Sequence, residues 1–296
     1  MSTTAEYRYR IVNVFAQDRL DGNPLAVFED GRGLDDATMQ ALALQFNLSE
    51  TTFILPSTTA HARVRIFTPT FEMPFAGHPT LGTAHVVREI GGLGDSVTLE
   101  MQVGVVPVAA RETNPLASTP DPDVWTLEAK PPKKRAVSAT QEEIAAMLSL
   151  SVRDLGPPPL WVDTGAEQLV IPLASVDAVQ RTAPLVDLLA QYGRTAHANG
   201  TRAMAYVWAW RDATSIDARF FFPKHGAVIE DPGTGSACAN LGGWLIANGA
   251  ERPVSVEISQ GEAVGRPCRL GLRVDPEQRI FVSGRVVELG RGSVRL

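Results

Sequence analysis

Short apolar runs broken by turn residues fill the opening of this chain, with one stretch of helical spacing among them. Tyr9 to Phe15 reads as a strand, Asp21-Gly22-Asn23-Pro24 as a turn, and Leu25 to Phe28 as a second strand. Gly and Asn supply the backbone freedom such a turn needs. From Asp35 to Phe46 the apolar residues Met39, Leu42, Ala43 and Phe46 fall at i, i+3, i+4 and i+7, one face of a helix. Ser49-Glu50 leads into strands Thr51 to Leu55 and Ala62 to Phe67, and Pro69, Pro74 and Gly77 mark a loop. A helix is expected from about Pro79, a residue tolerated in a first helical turn, to about Arg88, where Gly91-Gly92 stops it. Strands Val97 to Val103 and Val105 to Arg111 complete a first half.

Asn114 to Lys134 is rich in proline and polar residues and reads as a linker, with Val124 to Leu127 as a candidate strand. The cluster Lys133-Lys134-Arg135 behind it reads as a solvated loop. Thr140 with Glu143 three residues on is a capping box that opens a helix. Strands are expected at Leu160–Asp163 and Gln168–Pro172, a helix near Leu185–Tyr192, then strands Ala203–Trp210 and Ser215–Phe222.

The pattern contains a repeat. Arg65-Ile-Phe67-Thr-Pro69 matches Arg219-Phe-Phe221-Phe-Pro223, and each follows a strand and leads to a glycine turn that opens a helix. Those turns are Phe75-Ala-Gly77-His-Pro-Thr80 and Asp231-Pro-Gly233-Thr-Gly-Ser236. A period this long signals duplicated domains rather than a solenoid. Two such halves are expected to bring two helix N-termini to one cleft. Each N-terminus offers unpaired N–H groups and partial positive charge, which suit a carboxylate, a phosphate or a developing oxyanion.

Such a site needs an acid/base, and the candidates are Glu50, Glu72, His78, Glu230 and Asp231. Glu50 lies at a helix-to-strand junction beside Leu48 and Phe53, where partial burial would raise its pKa toward a useful value. The plain structural alternatives are a surface glutamate for Glu50, a turn histidine for His78 and helix capping for Asp231 and Ser236.

Composition narrows the field. The 296 residues suffice for one large domain or two ordinary ones. With 27 Lys+Arg against 33 Asp+Glu the net charge is −6, which argues against nucleic acid as a partner. No run approaches the length needed to span a bilayer, and MSTTAEYRYR lacks the apolar core of a signal peptide. Two cysteines, Cys238 and Cys268, exclude a disulfide framework, so a cytoplasmic protein is expected. His78 and His85 share a helix face without an evident third ligand, so no metal is expected.

Two further chemistries are open to the residues. Gly233-Thr-Gly235 follows the strand-like Ala227 to Glu230, and Glu257 lies where a ribose-binding acid could sit. The glycine fingerprint is incomplete, however, and Asp231-Pro232 interrupts it. A two-thiol racemase needs cysteines on both sides of a cleft, whereas Cys238 falls inside a helix and Cys268 in a later strand.

Seven ordered motifs resemble the PhzF-type phenazine-biosynthesis isomerase family, which has the diaminopimelate-epimerase-like fold. They are Gly22-Asn-Pro-Leu-Ala-Val27, Asn47-Leu-Ser-Glu-Thr-Thr-Phe53, Phe67-Thr-Pro-Thr-Phe-Glu72, Pro74-Phe-Ala-Gly-His-Pro-Thr80, Asp163-Thr-Gly165, Glu230-Asp-Pro-Gly-Thr-Gly-Ser236 and Gln260-Gly-Glu-Ala-Val-Gly-Arg-Pro267. The resemblance implies an α/β (α+β) fold of two pseudo-symmetric halves, each a mixed sheet wrapped around a central helix. The halves would be residues 1–118 and 119–284, with a C-terminal strand, 285–296, returning to the first. It implies a homodimer that needs no cofactor or metal, and a reaction on a small anionic conjugated substrate of the trans-2,3-dihydro-3-hydroxyanthranilate type. In that picture Glu50 moves a proton between two carbons on one face, and His78, Asp231 and Ser236 bind polar groups. The amides of Gly77-His78 and Gly235-Ser236, beside Thr234, would hold the carboxylate or developing charge. Ala76 and Pro232 stand where epimerase relatives carry their two cysteines, which removes thiol-based epimerisation. The competing functions are a small-molecule-binding homologue without turnover and an NAD(P)-dependent oxidoreductase.

Overall fold

Alternation of buried and exposed side chains makes Glu6–Val14 (β1) a strand, and Asn23–Phe28 (β2) pairs with it antiparallel. The structure, a computed structural model, describes residues 5–110, 121–197 and 200–296. It divides into two units, Met1–Glu128 with Ser283–Leu296, and Ala129–Val282. The expected boundary at residues 118 and 119 lies outside the described residues. The first unit runs on to Glu128 because Val124–Glu128, which takes in the candidate strand of the proline-rich segment, is a strand of its sheet.

In the first unit Asp36–Phe46 (α1) is capped by Asp35, whose carboxylate accepts from Thr38 N, and it ends at Asn47 in the left-handed region. Glu50–Leu55 (β3) runs parallel to β2, and Ala62–Phe67 (β4) runs antiparallel to β3. A two-residue strand, Glu72–Met73 (β5), turns back on β4 inside the segment expected to be a loop. Gly77–Gly91 (α2) follows and begins two residues earlier than Pro79. Proline fits there because the amides of a first helical turn have no intrahelical acceptor. Ser96–Met101 (β6), Gly104–Ala110 (β7) and Val124–Glu128 (β8) complete the unit with the closing strand Ile280–Arg295, which pairs antiparallel with β1. Helix α2 is buried from His78 to Val87, so the sheet wraps around it. A Cβ at Gly82 would lie 2.7 Å from Leu25 Cδ2 and 3.0 Å from Val14 Cγ2, so only glycine lets the helix approach β1 and β2 this closely.

In the second unit Lys133–Ala136 (β9) is an edge strand paired with Leu160–Asp163 (β10), not a solvated loop. Its charged side chains are exposed and protect the edge, and Arg135 lies over the Trp161 ring and pairs with Glu167. Between these strands Gln141–Met147 (α3) starts at the Thr140–Glu143 capping box. Glu167–Pro172 (β11) follows, then Val176–Arg181 (α4), a short helix the spacing does not announce, and Val186–Tyr192 (α5). The expected strand Ala203–Trp210 divides at Met204 into two. Arg194–His197 (β12) pairs with Gly200–Ala203 (β13), while Ala205–Trp210 (β14) runs parallel to β11. Ser215–Lys224 (β15), Ala227–Asp231 (β16), Gly235–Ala247 (α6), Val254–Gln260 (β17) and Cys268–Val274 (β18) complete it. Helix α6 is buried from Gly235 to Leu245 apart from Ser236.

The halves repeat in register. β1/β2 and β10/β11 are antiparallel, β2/β3 and β11/β14 parallel, β3/β4 and β14/β15 antiparallel, β4/β6 and β15/β17 parallel. The fold is therefore α/β with two pseudo-symmetric halves. This topology also overturns the dinucleotide-binding reading. β16 is antiparallel to β15 while β17 is parallel to it, so the strands flanking α6 run in opposite directions. A nucleotide-binding βαβ unit needs them parallel.

Candidate active site

Both central helices begin without a side-chain cap. The residue before α2 is Ala76 and the residue before α6 is Thr234, and neither side chain accepts from the helix. In α2 Pro79 has no N–H, and Thr80 N already bonds to Ala76 O at 3.2 Å. In α6 the amides of Ala237 and Cys238 bond to Thr234 O at 3.1 and 3.0 Å. The same two positions therefore open each helix with amides left over for a ligand, Gly77 and His78 in one half and Gly235 and Ser236 in the other. Capping does not explain Asp231 or Ser236.

In the first unit Glu50 is the first residue of β3, opposite Leu25. His78 occupies the second position of α2, and its Nδ1 lies 3.4 Å from Glu50 Oε2. A buried hydrogen bond of 2.9 Å between Thr52 and Thr83 fixes the strand carrying the acid to the helix carrying the imidazole. Glu50 is partly buried, with 16% of its side chain exposed, and His78 is almost wholly buried at 6%. Burial pushes the His78 pKa down to about 3, against the upward pull of a hydrogen bond to the Pro24 carbonyl. The ring is neutral at ordinary pH and has one N–H. Nε2 is buried and has no hydrogen-bond partner, so Nδ1 carries the proton.

In the second unit Asp231 ends β16, and its Oδ2 accepts from Thr234 Oγ1 at 2.5 Å. Gln260, fully buried at the end of β17, donates to Asp231 O at 2.8 Å and to Thr234 Oγ1 at 3.1 Å. The Thr234 hydroxyl thus serves the loop that holds Asp231. Gly261 adopts φ +89°, and a Cβ there would collide with Arg266 O and lie 2.5 Å from Pro232 O. Ser236 Oγ accepts from Gln168 Nε2 at 2.9 Å.

The other candidates are spent elsewhere. Glu72 is held by both Arg65 Nε and Nη2, at 2.8 and 2.7 Å, and Glu230 by Arg219 Nε and Nη2, at 3.1 and 2.7 Å. Each arginine lies over the repeat phenylalanine, Arg65 on Phe67 and Arg219 on Phe221. These are matching structural pins, so neither glutamate is a free base. Cys238 and Cys268 are buried, and burial raises the Cys238 thiol pKa far from thiolate formation. His85 accepts from Trp125 Nε1 and lies near Glu89 and Asp123. Among the described residues no three His, Cys, Asp or Glu side chains gather as a metal group, and no helix is long and apolar enough to cross a membrane.

Register also locates the counterpart of Glu50. Thr51 lies opposite Phe67 as Ala205 lies opposite Phe221, so Glu50 matches Met204. Only one half carries a carboxylate at this place. Sequence reasoning missed Gln168, Asn240 and the part played by Gln260. A signal existed, since Gln168 and Asn240 are polar residues inside the apolar runs Gln168–Pro172 and Ala237–Leu245, and a buried amide needs partners.

The family model described as phenazine biosynthesis-like protein, PhzC-PhzF, matches residues 12–292. An uncharacterized isomerase of Pasteurella multocida (strain Pm70) is 38% identical over 97% of this chain and 94% of its own. The trans-2,3-dihydro-3-hydroxyanthranilate isomerase of Pseudomonas fluorescens is 34% identical over 98% of this chain and 100% of its own. A crystal structure of a PhzF-family phenazine biosynthesis protein of Bacillus anthracis has the same fold, with a TM-score of 0.82 at 23% identity, covering 98% of this chain and 99% of that one.

Proposed function

The chain belongs to the PhzC-PhzF family of phenazine biosynthesis-like proteins, and from that premise we propose that it is an isomerase that moves a proton on a small anionic conjugated substrate with Glu50 as acid/base. The substrate is trans-2,3-dihydro-3-hydroxyanthranilate or a close analogue. The observation that carries this is the pairing of Glu50 with a neutral, buried His78 at the uncapped start of α2.

The Glu50 carboxylate takes a proton from one substrate carbon. The electron pair of that C–H bond shifts through the conjugated system, and Glu50 returns the proton to another carbon. One C–H bond breaks and one forms, so no electrons are gained or lost. Neutral His78 leaves the carboxylate charge in place, whereas an imidazolium would hold Glu50 in an ion pair and weaken it as a base. His78 helps bind the polar groups of the substrate. The amides of Gly77 and His78 favour the developing negative charge, as do those of Gly235 and Ser236. Asp231 and Ser236 bind polar groups of the substrate, and Met204 offers no second base, in keeping with one carboxylate serving both transfers.

The test is proton NMR of trans-2,3-dihydro-3-hydroxyanthranilate in D₂O with wild type and with Glu50→Gln. Wild type is expected to convert the substrate with deuterium uptake, and the variant to be slower by about 10²–10⁴-fold, the usual worth of a general acid/base, with unchanged circular dichroism. Wild-type rates in Glu50→Gln overturn the assignment of the base. No conversion by either protein overturns the substrate and favours another small acid, or a binding protein without turnover.

A further inference from the structure

Ser236 sits in a chain of side-chain amides whose direction the backbone dictates. Asn240, fully buried in α6, receives Thr164 N at 2.9 Å and Thr164 Oγ1 at 2.7 Å on its Oδ1. A backbone N–H can only donate, so that atom of Asn240 is the oxygen. Its Nδ2 then donates to the Ala166 carbonyl and to Gln168 Oε1, each at 2.8 Å. A carbonyl can only accept, which fixes the same orientation from the other end. With Oε1 of Gln168 committed to Asn240, its Nε2 faces Ser236 Oγ at 2.9 Å and donates to it. Gln168 is 3% exposed, so water does not supply an alternative partner easily. The Ser236 hydroxyl therefore accepts from Gln168 and keeps its own proton for another group. The Asp163-Thr-Gly165 motif is the anchor of this relay, since Thr164 sets Asn240 and Asn240 sets Gln168.

We propose that Gln168 is a positioning residue that makes Ser236 a hydrogen-bond donor, directed at an anionic oxygen of the substrate. This rests on the reading of Ser236 as a substrate-binding group. A serine free to rotate presents lone pairs as readily as its proton. One that already accepts from Gln168 is biased toward a carboxylate or a developing oxyanion, and against a substrate N–H or O–H. His78 occupies the matching second position of α2, with its Nε2 buried and without a hydrogen-bond partner.

The Gln168→Glu variant tests this. The introduced carboxylate accepts from Ser236 and takes its proton out of service, so kcat/KM is expected to fall about 10²-fold or more at pH 8, the effect of losing one such donor. Once protonated, the new carboxyl group again donates to Ser236 while accepting from Asn240. The ratio of variant to wild-type activity is therefore expected to climb as the pH falls from 8 to 5. A merely structural role does not produce that climb. A flat ratio, or wild-type activity at pH 8, overturns the proposal. A second readout needs no turnover, namely the side-chain ¹⁵N resonance of Gln168 in wild type and Ser236→Ala. A shift in Ser236→Ala supports the bond even if trans-2,3-dihydro-3-hydroxyanthranilate is not converted, in which case only the functional reading falls. An unmoved resonance overturns the orientation of Ser236 itself.

Discussion

Glu50 Oε2 and His78 Nδ1 stand 3.4 Å apart, and burial keeps the imidazole of that pair uncharged. The acid and its neighbour come from a strand start and a helix start joined by the Thr52–Thr83 bond. Their geometry therefore depends on packing rather than on attraction between opposite charges.

The buried imidazole has a signature in pH-dependent stability. In the folded protein it protonates only at about pH 3, against 6.5 for the ordinary group. Above about pH 6.5 the ring is neutral folded or unfolded, and it adds no pH dependence. Between 6.5 and about 3 only the unfolded chain takes up the proton, so stability falls as the pH falls, by up to about 1.4 kcal/mol per unit. Urea unfolding of wild type and His78→Gln from pH 7 to 4 is expected to show a shallower slope for the variant. A His78 ring that titrates near pH 6.5 by NMR overturns this.

The duplicated arginine pins make a paired prediction. Glu230→Gln leaves Arg219 with a neutral partner in a site where the glutamate is only 7% exposed. The expected cost is about 2 kcal/mol, within the range for hydrogen bonds to charged groups. Glu72→Gln removes the equivalent partner of Arg65, but that glutamate is 24% exposed and the arginine also pairs with Asp36. The smaller loss is therefore expected there, and denaturant midpoints of the two variants check the order.

Gly261 is expected to tolerate no side chain. Gly261→Ala combines a left-handed backbone with collision against Arg266 O and Pro232 O. A strained backbone position costs on the order of 1–3 kcal/mol. Because Pro232 follows Asp231, turnover should fall more than thermal stability predicts. Equal activity in Gly261→Ala at 25 °C removes Gln260-Gly261 from the support of Asp231.

Cys238 gives the converse test. Its thiol is buried and its pKa is raised by burial alone. Native protein is expected to react with a thiol reagent no faster than it unfolds, and Cys238→Ala should lose about 1 kcal/mol of stability while keeping its activity. Loss of turnover in that variant would bring thiol chemistry back.

The repeat was the readable part of the chain. Arg65 and Arg219, with the phenylalanines beneath them, announced two equivalent hairpins, and Gly77 and Gly235 announced the helices that follow. Local spacing could do this because each motif is short and its partners lie nearby. It could not show that Glu72 and Glu230 belong to those arginines, since side-chain pairing across a hairpin is a matter of register. It also read Lys133-Lys134-Arg135 as a loop, because an edge strand with exposed charges on both faces has the polarity of one. Gln168 and Asn240 escaped notice because their relay joins residues 68 to 76 positions apart.

The closing strand carries a consequence for biosynthesis. Residues 283–296 complete the first unit by pairing with β1 from Val14↔Val286 to Glu6↔Arg295. On the ribosome, chains emerge N-terminus first, so the continuous segment 129–282 is available to fold before the older half has its last strand. Until then β1 is an open edge, able to recruit any passing strand. The half synthesised earlier of the two is thus the half finished last, and β1 stays exposed to aggregation until residues 283–296 arrive.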